Sequence, residues 1–134
     1  MSRENVEIVR RAYAHRQAAG DFLDDLYAPD FVWDMSNFQG WPEQHIYEGI
    51  EEARRFIREW TSAFDDWKIE VEKLYDAGED KVVAVVRQRG RSKTSGLPVD
   101  MLFAQVFTIQ DGKETRMEMY SDPDEALKAV GLEE

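Results

Sequence analysis

The feature that most constrains this chain is a change of apolar period near its middle. Ile50, Ala53, Phe56, Ile57, Trp60 and Phe64 recur at three- and four-residue spacing, which predicts one apolar stripe on a helix over 50–64. Glu51 and Glu52 suit its N-terminus. Beyond Asp65-Asp66 the period becomes two, predicting strands over 67–76, 81–93, 98–110 and 113–120. Ala77-Gly78, Ser95-Gly96 and Asp111-Gly112 separate them, and Asp-Gly is a strong tight-hairpin signal. A meander of long antiparallel strands needs an apolar cover on at least one face. Amphipathic helices supply it, so the expected class is α+β.

The first half adds those helices. Ser2 can cap a helix carrying Val6, Val9, Ala12 and Tyr13 on one side, closed by Gly20. Phe22, Leu23, Leu26 and Tyr27 predict a short second helix that stops before Pro29. Phe31–Ser36 reads as a strand, with Val32 and Asp34 on one face and Phe31, Trp33 and Met35 on the other. Asn37–Gly49 reads as a loop with an unusual aromatic load, a lid over a cavity. At the C-terminal end Asp122 caps, Pro123 takes the first helical position and Glu125 completes a capping-box-like pair. No linker or repeat interrupts the chain, so one domain over 1–134 is expected.

With 134 residues, 43% of them hydrophobic, the chain can bury a core without staples. It has no cysteine, so disulfides, zinc–thiolate sites and cysteine nucleophiles are excluded. A net charge of −11 argues against a nucleic-acid partner. The longest aliphatic run, Val82–Val86, is too short for a membrane span, and the first residues lack an apolar signal core. A cytoplasmic location is the resulting expectation. His15 and His45 have no partner at metal-ligand spacing, and no phosphate-cradling glycine loop is present, so neither metal nor cofactor is expected.

Several stretches resemble the SnoaL-like branch of the nuclear-transport-factor-2-like superfamily. They are Glu4–Tyr13, Gly20-Asp21 with Leu26–Asp34, Trp41-Pro42, Tyr47–Gly49, Tyr120–Asp122, Glu125–Leu127 and Gly131-Leu132. Together they span nearly the whole chain. The resemblance implies a cystatin-like cone: a curved, mostly antiparallel sheet wrapped around helices, with an internal pocket. It also implies a convex face that pairs with a second subunit, and cofactor-independent chemistry such as isomerisation, dehydration or cyclisation. The fold hosts non-enzymatic binders too, so a ligand-binding or dimerisation module is the alternative.

Within that resemblance, Asp34 matches the general base of ketosteroid isomerases and Tyr13 their oxyanion-binding tyrosine. Gln105 stands where those enzymes hold a protonated aspartate, a departure that counts against that activity. The acid–arginine–acid set of limonene epoxide hydrolases would fall on Val86, Gln88 and Met119, and none matches. If Asp34 faces an apolar cavity, burial raises its pKa and makes it a plausible base. The alternative is a buried aspartate bonded to loop backbone, with Tyr13 a core residue. Met101, Phe103 and Gln105 alternate to one strand face, and Met117 and Met119 to one face of the next. With Phe56, Trp60 and Trp41 they outline an apolar, methionine-rich pocket for a hydrophobic small molecule. A filled core is the competing reading.

Two surface expectations remain. Arg87, Arg89, Arg91 and Lys93 share one strand face, with Glu70 and Glu72 on the preceding strand, which favours a charge ladder over an anion site. Leu102, Ala104 and Val106 alternate away from the pocket face, which suggests a homodimer through the convex side of the sheet.

Overall fold

The computed structural model describes residues 2–19, 24–38, 46–78 and 80–132. Among them the order is α1 (Ser2–Ala19), a 3-10 turn (Asp24–Leu26), β1 (Tyr27–Asn37), β2 (Ile46–Glu48), α2 (Ile50–Ser62), β3 (Phe64–Asp76), β4 (Lys81–Ser92), β5 (Pro98–Gln110), β6 (Lys113–Tyr120) and α3 (Pro123–Ala129). The strands form one curved, unclosed sheet in the order β2-β1-β6-β5-β4-β3. Only the β1–β6 pair is parallel, because the chain returns to β1 after the whole meander.

The meander follows the period-two reading closely. At the β5–β6 turn Asp111 and Gly112 both take positive φ, 53° and 77°, the backbone that a two-residue hairpin demands. The C-terminal helix starts as its residues dictate: the Asp122 side chain accepts from the backbone N–H of Asp124 at 2.9 Å, with Pro123 leading the helix.

The second predicted helix is corrected. Only Asp24–Leu26 forms a 3-10 turn, and Tyr27 already opens the long strand β1; Phe22 and Leu23 lie outside the described residues. The residue before a proline is pushed toward extended backbone, so Ala28-Pro29 lengthens the strand rather than ending a helix. The expected loop before α2 contains the short strand β2, whose Tyr47 pairs with Trp33 and buries its ring 4.7 Å from Phe56. Trp41 and His45, read as parts of a lid, lie outside the described residues.

Helices α1 and α2 cover one face of the sheet. Val9, Ala12, Tyr13, Ala53, Phe56 and Ile57 meet Phe31, Trp33, Met35, Val82, Ala84, Val86, Phe103, Phe107, Met117 and Met119 there in the main core. On the other face α3 presents Ala126 and Leu127 to Val83, Ala104 and Val106. This changes the premise of the dimer expectation. Ala104 and Val106 are already buried by the chain's own last helix, and Leu102 alone of the three stays exposed. Farther along this face Arg87 donates to Glu72 and to Asp100, each at 2.7 Å, and Arg89 to Glu70 at 3.4 Å, a charge ladder across three strands.

Two irregularities aim side chains inward. Asp66, at φ 55°, sits in a bulge where the β3–β4 register slips between Asp65 and Lys68. Gly90 on β4 accommodates it: a Cβ there would meet the Asp65 carbonyl oxygen at 3.2 Å and the Phe64 Cβ at 3.3 Å. The β5–β6 register slips between Thr108 and Ile109, so Glu114 pairs with Ile109. Strict alternation from Met117 and Met119 would turn Glu114 outward; the slip reverses it and leaves its side chain fully buried.

Candidate functional site

Between α1, α2 and the concave side of the sheet lies a cavity of about 10 Å³, room for roughly one water. Arg16, Trp33, Phe56, Ile57, Trp60, Trp67, Ile69, Gln88, Phe103, Gln105 and Met119 line it. Of the pocket residues expected from the sequence, Phe56, Trp60, Phe103, Met119 and Gln105 are in this wall. Met117 is fully buried in the surrounding core, and half-buried Met101 packs against that core; neither reaches the cavity.

The cavity's polar atoms are few and defined. Gln88 is almost fully buried, and its Oε1 accepts from the indole N–H of both Trp60 and Trp67. An indole nitrogen only donates. Two such donors therefore fix the orientation of the amide. Its Nε2 is a buried donor with no hydrogen-bond partner. Gln105 is set in a similar way: its Oε1 accepts from the Tyr13 hydroxyl, and its Nε2 reaches only the weak acceptor Sδ of Met119, at 3.8 Å. Gln88 lies opposite Met101 and Gln105 opposite Ala84 in the β4–β5 register. Four residues of strand, about 13 Å, thus separate the two backbone positions.

A third polar element stands at the α1 end. The Arg16 guanidinium lies 5.4 Å from the Tyr13 ring centroid and 5.5 Å from that of Trp33, almost wholly buried. Near it is Glu114, a buried acid that does not line the cavity. Burial pushes the Glu114 carboxyl up to about 8, opposed by the attraction of Arg16 and a hydrogen-bonding influence from Tyr27. Neither Glu114 oxygen has a well-formed hydrogen bond. Burial likewise raises the Tyr13 and Tyr27 hydroxyls far above the ordinary tyrosine range, with Glu114 adding to both and Arg16 opposing.

Asp34 does not join this group. Tyr13 and Gln105 converge, as expected, but Asp34 sits on the opposite face of the sheet. Its register partner is Glu118, which stands opposite Val106 of the α3-covered side. There Asp34 is ion-paired with Arg116 and accepts from the backbone N–H of Ser36 at 2.8 Å. The reason lies in β1 itself. Phe31, Trp33 and Met35 occupy the core face with three large apolar side chains, and a period of two sends Val32 and Asp34 the other way. The arrangement matches the alternative of a buried aspartate bonded to local backbone.

Arg16, Gln88, Trp67 and Glu114 were not legible as site residues. An arginine in a helix full of arginines carries no inward signal, and the bulge that aims Glu114 leaves no sequence mark of its own. Trp67 and Gln88 had one: Trp67 shares a period-two face with Ile69 and Val71, and Gln88 is an amide among the apolar residues Val82, Ala84 and Val86 of the same strand face. Among the described residues no cluster of three or more histidines and carboxylates could hold a metal ion. No described helix is long and apolar enough to cross a membrane.

Comparison with known proteins places this geometry. The solved structures similar to the chain include a Jannaschia sp. CCS1 protein named as a candidate SnoaL-like polyketide cyclase. It is 25% identical, with 95% of this chain and 91% of that one covered at a TM-score of 0.73. A Catenulispora acidiphila DSM 44928 protein with a ketosteroid isomerase-like fold, solved in complex with trimethylamine, is 20% identical, with 94% and 93% covered and a TM-score of 0.70. TerC, co-crystallised with polyporic acid, is 19% identical, with 95% and 98% covered and a TM-score of 0.73. No functionally curated protein matches the sequence. The SnoaL-like domain family matches residues 9–117, most of the chain, including the greater part of α1, all of α2 and five of the six described strands in full, and the protein belongs to that family.

Proposed function

We propose that this protein binds a small, mostly apolar, ring-bearing organic molecule on the concave face of its sheet, without a cofactor. The observation that carries the reading is the Gln88 amide. A buried N–H donor without an acceptor costs roughly 1–3 kcal/mol. Here that donor belongs to a cavity-lining amide whose oxygen is held by two indoles that cannot accept in return. A ligand oxygen would satisfy it, and Trp33, Phe56, Trp60 and Phe103 supply flat apolar walls. The cavity admits about one water as it stands. Entry of a ring therefore requires half-buried Trp60, near the end of α2, to swing aside.

Turnover by isomerisation, dehydration or cyclisation is the second reading. The Tyr13–Gln105 hydrogen bond and the cavity-lining Arg16 favour it, because together they could stabilise an enolate oxygen. Asp34 is not its base, since it faces the other side of the sheet. Among the described residues no carboxylate lines the cavity, and this favours binding as the first reading.

The test uses 1-indanone and indane, which differ by one carbonyl oxygen. Quenching of tryptophan fluorescence should report tighter binding of indanone than of indane. Gln88→Leu should remove that preference. Equal binding of the two compounds would overturn the role given to Gln88, and binding of neither would overturn the pocket. Exchange of the indanone α-protons in heavy water, followed by NMR, separates the readings. We expect no acceleration over buffer; clear acceleration would promote the enzyme.

A further inference from the structure

We infer that the ligand ring carries two hydrogen-bond acceptor oxygens at opposite ends, as a dicarbonyl compound does, one taken by the Gln88 amide and one by the Gln105 amide. The inference rests on the small-molecule reading above and adds the number, polarity and spacing of the ligand's polar groups.

Both amides are buried and both line the cavity. Each has its oxygen engaged inside the protein. The Gln88 Oε1 accepts from the Trp60 and Trp67 indoles, which fills both of its lone pairs. The Gln105 Oε1 accepts from the Tyr13 hydroxyl. On the nitrogen side the balance is reversed. Gln88 Nε2 has no partner. Gln105 Nε2 has two N–H bonds to place and reaches only the Met119 thioether, a weak acceptor. The two amides therefore call for the same complement in a ligand, an oxygen that accepts.

The sheet register sets where those oxygens belong. Gln88 pairs with Met101, Val86 with Phe103 and Ala84 with Gln105. Phe103 thus stands midway between the two amide levels, and it lines the same cavity. The two levels are about 13 Å apart along the strands. One carbonyl meets one of them. A ring with an oxygen at each end meets both, lying beside Phe103 with Trp33 and Phe56 also in the wall. Oxygens on neighbouring atoms of a ligand would serve one amide and leave the other N–H without a good acceptor in an apolar enclosure, which costs affinity.

The probes are 1,4-diacetylbenzene and 4-ethylacetophenone. Both are neutral rings of nearly the same size; the first has a carbonyl at each end, the second at one end only. Ligand-observed NMR titration reads their affinities. The wild-type protein should bind the diketone about fivefold more tightly, the worth of one further hydrogen bond. In Gln88→Leu, and separately in Gln105→Leu, the two compounds should bind alike. Should either variant fail to fold, the side-chain amide protons of the isotope-labelled wild type read the same contacts. Those of both Gln88 and Gln105 should move downfield on saturation with the diketone. Equal or weaker binding of the diketone by the wild type overturns the second acceptor while the small-molecule reading stands. A preference that survives both substitutions, or amide protons that do not move, overturns the assignment to these two residues. If neither compound binds, both readings fall.

Discussion

The two faces of the sheet treat their polar groups in opposite ways. On the α3 side charges are satisfied locally: Asp34 has Arg116 and the Ser36 N–H, and Arg87 has Glu72 and Asp100. On the helix-covered concave side Gln88 Nε2 has no acceptor, Gln105 Nε2 reaches only a thioether, and Glu114 is buried without a well-formed hydrogen bond. Both faces belong to the same strands, so local propensity cannot explain the difference. Groups that only stabilise the fold find partners within it. Groups left incomplete in an apolar enclosure cost stability, and a ligand is the natural completion. A buried aspartate is therefore a weaker marker of this site than an unsatisfied amide.

The largest effect that sharpens this contrast comes from Glu114. Its carboxyl is raised from 4.5 to about 8 in the folded protein. Between those values the folded state holds a proton that the unfolded state has lost, so stability is fully present below about pH 4.5 and declines as pH rises through about 8. The loss should be on the order of 5 kcal/mol. Urea unfolding across that range should show the decline in the wild type and a much flatter profile in Glu114→Gln. Equal slopes would mean that the acid is solvated and that the concave face is less dry than described.

Next comes Gln88→Leu. It removes the acceptor of two indole N–H groups and should destabilise the fold by about 2 kcal/mol, with a red-shifted tryptophan emission. A neutral or stabilising outcome would show that relief of the unpaired Nε2 outweighs the loss of the two indole hydrogen bonds.

Asp34→Asn should cost about 1 kcal/mol through its weakened ion pair with Arg116, one member of which is partly exposed. Had Asp34 faced the cavity, the same substitution would abolish proton abstraction. With Asp34 on the other face, ligand affinity and any proton exchange should survive unchanged. Their loss would break the division between the two faces.

The smallest effect is expected from Arg87→Ala in the surface ladder. Thermal melts with and without added salt should barely distinguish it from the wild type, because solvent and ions screen exposed charge pairs. A large, salt-independent loss would point to an interface on this face. That would revive the homodimer, which we retain as a proposal now resting on Leu102 and the ladder rather than on Ala104 and Val106.

By itself the sequence determined the four-strand meander, its Asp-Gly turn, the amphipathic α2 and the capped C-terminal helix. Each depends on interactions within a few residues, whose spacing is written in the chain. It also determined which residues share a face: Val32 with Asp34, Phe103 with Gln105, Met117 with Met119. Which of two faces became the interior was a different matter. For β1 the outcome followed from packing three large side chains against two helices, and Asp34 was carried outward by that competition. A bulge between Thr108 and Glu114 then reset the alternation, bringing Glu114 inward against the period of its strand. The cover over Ala104 and Val106 came from α3, more than fifteen residues away along the chain. Period fixes relative orientation along a strand, but its absolute sense is set by long-range burial, and only the tertiary structure decides that.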